Sequence, residues 1–152
     1  MLQKLSYIFE LYATNCSFLM NNALIKILIA NDHILLREGL GNAILEKRPD
    51  KFLISYVVDF ESIINYLDEI EVDLVIIDFI MPNGNAFDTI SSIKNKYPET
   101  KVILIGMFDK SSIKYFPNLL SQLDGLLSFN CEVEKYLEAV DTVLKNGLYF
   151  YL

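Results

Sequence analysis

Residues 72–77 read VDLVII and form a nearly continuous apolar run, which is followed at once by the carboxylate of Asp78. A run this short favours a strand over a helix. The scarcity of polar residues within it is typical of a strand that is covered on both faces. The run therefore predicts a central strand of a parallel sheet, with Asp78 at its carboxyl end.

Similar apolar runs recur along the chain, at 25–30, 52–58, 102–105 and 126–127. Helical apolar patterns alternate with them, and four are marked by residues 36-40-43-44, 63-64-67, 87-90-93-97 and 133-136-137-140-144. Asp59 is a candidate N-cap, and Asn146-Gly147 closes the last helix. The apolar tail at 149–152 is expected to pack at the end of that helix or to continue into a linker. A further helix, the fourth in chain order, has the weakest pattern: Ser111 and Ser112 could cap it, but Pro117 should break or restart it. Five strand–helix pairs predict a parallel sheet with helices on both faces.

The composition argues against several classes of protein. Of the 152 residues, 53% are hydrophobic and 22% are charged, and this composition excludes a disordered chain. The net charge of −7 argues against a freestanding binder of nucleic acid or acidic membrane. Cys16 and Cys131 form no CxxC motif, so we expect free thiols. Without a spanning stretch or a convincing signal peptide, the expected location is the cytoplasm.

Residues 1–23 precede the first strand and form a separate N-terminal extension, and residues 24–152 form the predicted domain. Apolar residues in the extension recur at spacings of three and four, at positions 2, 5, 9, 12, 16 and 19. Three interpretations stay open: a helix that packs on the domain or on a partner chain, a disordered leader, or untranslated sequence with Met20 as the true start.

Polar residues stand where the predicted strands end, which is where open parallel sheets bind ligands. Asn31-Asp32-His33 follow the first strand, and Asp78 follows the third. Two converging carboxylates suit Mg²⁺, and an aspartate beside that ion is a competent nucleophile toward a phosphoryl group. The alternative is that both carboxylates only cap the helices after their strands.

Over residues 24–150 the chain resembles the receiver domains of response regulators in two-component signalling, most closely the NarL/LuxR type. The matching segments are Ile27-Leu28-Ile29-Ala30-Asn31-Asp32-His33, Arg37-Glu38-Gly39-Leu40, and the run from Asp73 through Asp78 to Met81-Pro82. The resemblance implies a flavodoxin-like α/β fold, a doubly wound five-stranded parallel sheet of order 2-1-3-4-5. It also implies Asp78 as phosphoacceptor, Asp32, Asp78 and the Ile80 backbone carbonyl as Mg²⁺ ligands, and a histidine kinase as partner.

The chain departs from this family at the positions that bind and sense the phosphoryl group. Asn31 replaces an acid, Gly106 a Ser or Thr, Leu126 the switch aromatic and Phe129 a Lys. Asn31 can offer a carbonyl oxygen to a cation but no charge. We therefore expect an atypical receiver that works as a phosphorylation-independent protein-interaction domain. The alternative is a weakly phosphorylated, Mg²⁺-dependent receiver.

Other functions find less support in the sequence. A haloacid-dehalogenase-like phosphatase needs a second acid two residues after its nucleophile, but Ile80 stands two residues after Asp78. The sequence also has no P-loop motif, so we expect no enzyme activity. His33, the only histidine, is interpreted as a loop residue. No helix-turn-helix module follows the domain, so no direct contact with nucleic acid is expected from this chain. Any homodimer is expected to use the first and fifth helices, because Arg37-Glu38 and Glu134-Lys135-Glu138 offer complementary charge.

Overall fold

The computed structural model describes residues 24–111 and 113–152. The predictions for the N-terminal extension, and a cap at Ser112 for the fourth helix, lie outside these residues. The strands are β1 (Ile25–Ala30), β2 (Phe52–Val57), β3 (Leu74–Asp78), β4 (Lys101–Gly106), β5 (Gly125–Ser128) and β6 (Tyr149–Tyr151). The helices are α1 (Ile34–Lys47), α2 (Phe60–Glu69), α3 (Ala86–Lys96), α4 (Pro117–Leu120) and α5 (Val133–Val143), with a 3₁₀ turn at Ile113–Tyr115.

All six strands lie parallel in one sheet of order β2-β1-β3-β4-β5-β6. The predicted flavodoxin-like order 2-1-3-4-5 is thus confirmed. The chain order reverses between β1 and β3, and this is the point at which a doubly wound sheet opens a crevice at the carboxyl ends of its strands. Asn31 to His33 follow β1, and Asp78 ends β3, so the topology places both groups at that crevice.

The core consists of two apolar layers, one on each face of the sheet. Alternation along β1 is the clearest example, because Leu28 and Ala30 pack with α2 and α3 while Ile27 and Ile29 pack with α1 and α5. β3 is buried along its whole length, as its apolar sequence predicts. A central strand held on both faces gives Asp78 a rigid support.

The ends of the helices follow local rules. The side chain of Asp59 accepts a hydrogen bond from the Ser62 N–H at 2.7 Å and caps α2, which confirms that prediction. Pro117 opens α4, so the proline restarts the helix, as the sequence allowed. Asn146 has a φ of 62° and lies in the turn that follows α5.

The sixth strand was not predicted. The sequence suggested an apolar tail that packs at the end of the fifth helix, and a sheet of only five strands. Instead Tyr149–Tyr151 pairs with β5 as an edge strand, and the Tyr149 hydroxyl also donates a hydrogen bond to Glu138 of α5 at 2.8 Å. Three residues are too few for a periodic signal, so only the tertiary pairing defines this strand.

Within the described residues, every helix is too short or too polar to cross a membrane.

Candidate functional site

Asp32 and Asp78, predicted to share one ion, lie close together at the crevice. Each offers an oxygen, and His33 a ring nitrogen, such that these atoms all lie within 4.8 Å of one another. This spacing is close to the separation of about 3–4 Å between two oxygens that bind the same small cation at about 2 Å. The structure thus brings together the residues that the sequence placed after β1 and β3, while their roles remain predictions.

Asp78 is the buried member of this group, with 9% of its surface exposed. Its Oδ2 accepts a hydrogen bond from Asn31 Nδ2 at 2.8 Å, and its Oδ1 accepts one from the Ile80 N–H at 3.2 Å. Burial raises the pKa of the Asp78 carboxyl above its usual range, and the nearby Asp32 charge acts in the same direction. Both carboxylate oxygens therefore already have hydrogen-bond donors supplied by the protein.

Asn31 is held firmly in this arrangement. Its Oδ1 accepts a hydrogen bond from the His33 N–H at 2.7 Å, and its backbone carbonyl accepts one from Arg37 Nη1 at 2.6 Å. The side chain is buried, so these contacts fix its orientation. The sequence suggested that Asn31 could offer its carbonyl oxygen to a cation, but the structure engages that oxygen and turns the amide N–H toward Asp78.

Asp32 and His33 lie further toward solvent. His33 Nδ1 is 2.9 Å from Asp32 Oδ1, and the two side chains are 71% and 40% exposed, respectively. Two carboxylates form a donor set that suits Mg²⁺, which takes one or two carboxylates and several waters. The fit is weaker than that of a three-acid site, since Asn31 directs a hydrogen-bond donor into the group.

Ile80 contributes its backbone N–H to Asp78, and its side chain is 73% exposed. Its carbonyl, the predicted third ligand, remains a prediction.

Gly106 ends β4 next to Asp78, and the space beside it is already filled. A Cβ placed on Gly106 would lie 2.5 Å from Phe108 Cε2 and 2.9 Å from Phe79 Cβ. No side chain fits there unless both Phe108 and Phe79 move. The sequence identified the missing hydroxyl at this position but gave no sign of the ring that replaces it.

The remaining two altered positions also differ from one another. Leu126 is fully buried in the core, whereas Phe129 is 38% exposed at the mouth of the crevice. The Phe129 N–H donates to the Gly106 carbonyl at 2.8 Å, and the Phe129 carbonyl accepts from the Tyr136 hydroxyl at 3.2 Å. The ends of β4, β5 and α5 are thereby tied together by hydrogen bonds.

The sequence reasoning missed the roles of Phe108, Arg37 and Tyr136. Phe108 stands in an irregular loop without periodicity, and Arg37 was noted only as part of a motif. Tyr136 was read as one member of an apolar stripe. Only the contacts across elements identify these residues.

Comparison with known proteins places this sheet and its crevice in one class of protein, the receiver domains of bacterial signalling. Residues 27–126 match the model of the response regulator receiver domain. The transcriptional regulatory protein DegU of Brevibacillus brevis is 27% identical over 132 residues, covering 86% of this chain and 55% of DegU. The oxygen regulatory protein NreC of Staphylococcus aureus strain JH9 is 30% identical over 125 residues, covering 82% of this chain and 57% of NreC.

The fold agrees with these relatives. The isolated receiver domain of RcsB from Salmonella enterica serovar Typhimurium superposes with a TM-score of 0.70 at 20% identity, covering 84% of this chain and 94% of that domain. The chain therefore belongs to the response regulator receiver domain family. It spans just over half the length of the curated relatives it matches.

Proposed function

We propose that this receiver domain works as a protein-interaction module whose surface is used without phosphorylation, because Asp78 does not accept a phosphoryl group. The observation that carries the proposal is the Asn31–Asp78 hydrogen bond of 2.8 Å. An amide N–H stands where an acid at position 31 would bind a cation. It donates to the Asp78 carboxylate, which therefore has a hydrogen-bond donor without a metal ion. A buried carboxylate whose lone pairs are engaged is a poorer nucleophile than a free one.

The missing contacts strengthen this proposal. An added phosphoryl group would meet the Phe129 ring and the Cα of Gly106, where the family offers a cation and a hydroxyl. Each missing charge-assisted hydrogen bond is worth about 1.5–3 kcal/mol. The acyl phosphate would thus be formed less readily and would change the surrounding contacts less.

Asp32 and Asp78, with the Ile80 carbonyl, are the residues that would hold Mg²⁺. The ion would neutralise charge on the oxygens of a phosphoryl donor. In this chain Asp32 would supply a second negative charge, and Asn31 would orient Asp78. We expect weak binding, because the donor set holds only two carboxylates.

The test exposes the protein to acetyl phosphate and Mg²⁺ and measures the intact mass. We expect no phosphoryl adduct in the wild type. In parallel, Asn31→Asp should bind Mg²⁺ at least about tenfold more tightly in calorimetry, because a third carboxylate then faces the ion. A stable adduct in the wild type that is lost in Asp78→Asn would overturn the proposal.

That outcome would support a second candidate, a weakly phosphorylated Mg²⁺-dependent receiver. The closeness of Asp32 and Asp78 favours it. In this reaction an Asp78 oxygen attacks phosphorus, the bond from phosphorus to the leaving carboxylate breaks, and acetate departs. Tight Mg²⁺ binding that persists in Asp32→Ala would argue against the assigned ligand.

The wider setting follows from the family. We place the chain in the NarL/LuxR branch, with a histidine kinase or another signalling protein as partner and the cytoplasm as location. DegU is described as a transcriptional regulatory protein. This chain covers 55% of DegU, so we propose only the receiver function for it and do not carry over the regulation of transcription.

A further inference from the structure

We propose that the Phe108 ring acts as a wedge: it fills the space beside Gly106 and holds the end of β4 in one conformation. A charge added at Asp78 then causes no conformational change at the face formed by β5 and the segment 113–120. The inference rests on the proposed function, since it names the element that makes the site insensitive. It assigns a part to a residue that belongs to neither the acidic group nor the altered positions.

The first step is the position of the ring. Phe108 lies two residues beyond β4, yet only 8% of its surface is exposed, while its neighbour Met107 is 82% exposed. The chain thus turns Phe108 inward and Met107 outward. The inward ring lies beside Gly106, where a Cβ would approach Phe108 Cε2 to 2.5 Å. Phe108 therefore occupies the volume that a side chain at position 106 would need.

The second step is that the Phe108 ring also packs against other aromatic side chains. Phe79, which directly follows Asp78, meets the Phe108 ring edge-to-face at a centroid distance of 4.9 Å. Phe79 also contacts the Phe87 ring at 5.8 Å and the Phe116 ring at 6.5 Å, and Phe87 and Phe116 lie 5.5 Å apart. We call these four residues the aromatic cluster. It joins the ends of β3 and β4 to the start of α3 and the residue before α4.

The third step concerns switching. A modification shifts an equilibrium between two states only through contacts that differ between them. At this site a second state would need Phe108 to leave the aromatic cluster, because its ring is 8% exposed and packs edge-to-face on Phe79. Gly106 offers no side chain that could pull the loop inward. The aromatic cluster thus favours one state whatever the charge on Asp78.

The test is a double-mutant cycle that needs no phosphorylation. Gly106→Thr should lower the thermal midpoint by about 3–10 °C, because the new side chain meets Phe108. In the Gly106→Thr/Phe108→Ala protein the threonine loses its contacts with the Phe108 ring and keeps only the one with Phe79 Cβ, so the midpoint should fall by less than the sum of the two single losses. Additive losses would show that Phe108 does not fill this space, and would overturn the proposal.

Phe87→Ala is the matched control, since it removes a ring from the same cluster at a position not near Gly106. Combined with Gly106→Thr, Phe87→Ala should restore none of the thermal midpoint, so the two losses should add. Rescue of similar size by Phe87→Ala would refute the specific part assigned to Phe108.

The second measurement follows how far a conformational change spreads from Asp78, by comparing backbone amide NMR shifts with and without beryllofluoride and Mg²⁺. In the wild type, shifts are expected to stay near Asp78 or to be absent. In Gly106→Thr/Phe108→Ala they should spread into residues 107–130. Spreading in the wild type would overturn the wedge. An acyl phosphate in the wild type without such spreading would instead overturn the proposed function and leave the wedge intact.

Discussion

Asp78 combines two properties that pull against each other, namely burial and a negative charge. Burial raises the pKa of its carboxyl, so the folded protein binds a proton there more tightly than the unfolded chain does. The ionised form consequently costs stability. This loss of stability is absent at low pH. It appears as the pH rises from the ordinary carboxyl pKa through the raised pKa of the folded state.

Replacing Asp78 by Asn should therefore raise the free energy of unfolding at pH 7. Asn keeps one oxygen that can accept the hydrogen bond from Asn31, loses the longer one from the Ile80 N–H, and removes the buried charge, whose cost in the folded protein is the larger effect. The gain should shrink as the pH falls below the ordinary pKa of a carboxyl group. Urea unfolding at pH 7 and pH 4 measures both effects.

Asp32→Asn is the control for that experiment, since the Asp32 side chain is 40% exposed. Its effect on the free energy of unfolding should be small at both pH values. A loss of stability in Asp78→Asn at pH 7 would mean that the ionised carboxylate is favourable in the folded state, against the direction inferred from its burial.

At the scale of elements, the β3–α3 connection depends on a residue from another loop. Asp59 caps α2 through Ser62, and its second oxygen accepts a hydrogen bond from Asn83 Nδ2 at 2.8 Å. Asn83 has a φ of 60°, so it lies in a strained turn just beyond Met81-Pro82. Asp59 thereby connects the start of α2 with the loop that follows Asp78.

Asp59→Ala should destabilise the protein by about 1 kcal/mol, as the loss of an N-cap usually does. Hydrogen bonds from Ser62, and from Asn83, lower the pKa of Asp59 below its usual range. The stabilisation is therefore present above the ordinary carboxyl pKa and is lost as the pH falls through the lowered value. Asp59→Asn retains a capping oxygen and should lose less. An Asp59→Ala protein as stable as wild type in urea would contradict this account.

The junction of β5 and β6 is a second sensitive place. A Cβ on Gly125 would lie 2.9 Å from Ile103 Cγ1 and 3.3 Å from the Tyr149 carbonyl oxygen. Gly125→Ala should therefore cost about 1–3 kcal/mol through overpacking between β4 and β6.

Gly39→Ala is the matched control for Gly125→Ala, because a Cβ on Gly39 in α1 meets nothing within 4 Å. It should stabilise the protein by about 0.5–1 kcal/mol, since alanine favours a helix. Urea unfolding of both variants checks the contrast. Equal effects would show that β6 does not press against Gly125.

These elements also mark how far the sequence could be interpreted. Continuous apolar runs predicted β1, β3 and β4, because burial on both faces leaves a clear signal. The pairing of β6 and the place of Phe108 depend on contacts between distant parts of the chain, which no local pattern encodes. The closeness of Asp32 and Asp78 was predictable because parallel strands end at one edge, whereas the orientation of the Asn31 amide was not.

At the scale of the whole molecule, the charges that suggested a dimer through α1 and α5 are largely engaged within one protomer. Arg37 donates to the Asn31 carbonyl, and Lys135 Nζ contacts Glu138 Oε2 at 3.0 Å. The exposed charges left on the two helices include Glu38 and Glu134, which have the same sign. The sequence argument from complementary charge is therefore weakened, although the predicted interface itself remains a prediction.

Self-association through α1 and α5 should accordingly strengthen with added salt. The chain carries a net charge of −7, and salt screens the repulsion between two such molecules. Sedimentation at low and high ionic strength measures the change. Glu134→Lys should strengthen association at low salt and reduce the salt dependence, because it makes the net charge less negative and adds a positive charge on α5 that can face Glu38 of a second copy. A dimer that dissociates as salt is added, or one unaffected by Glu134→Lys, would show that other elements form the interface.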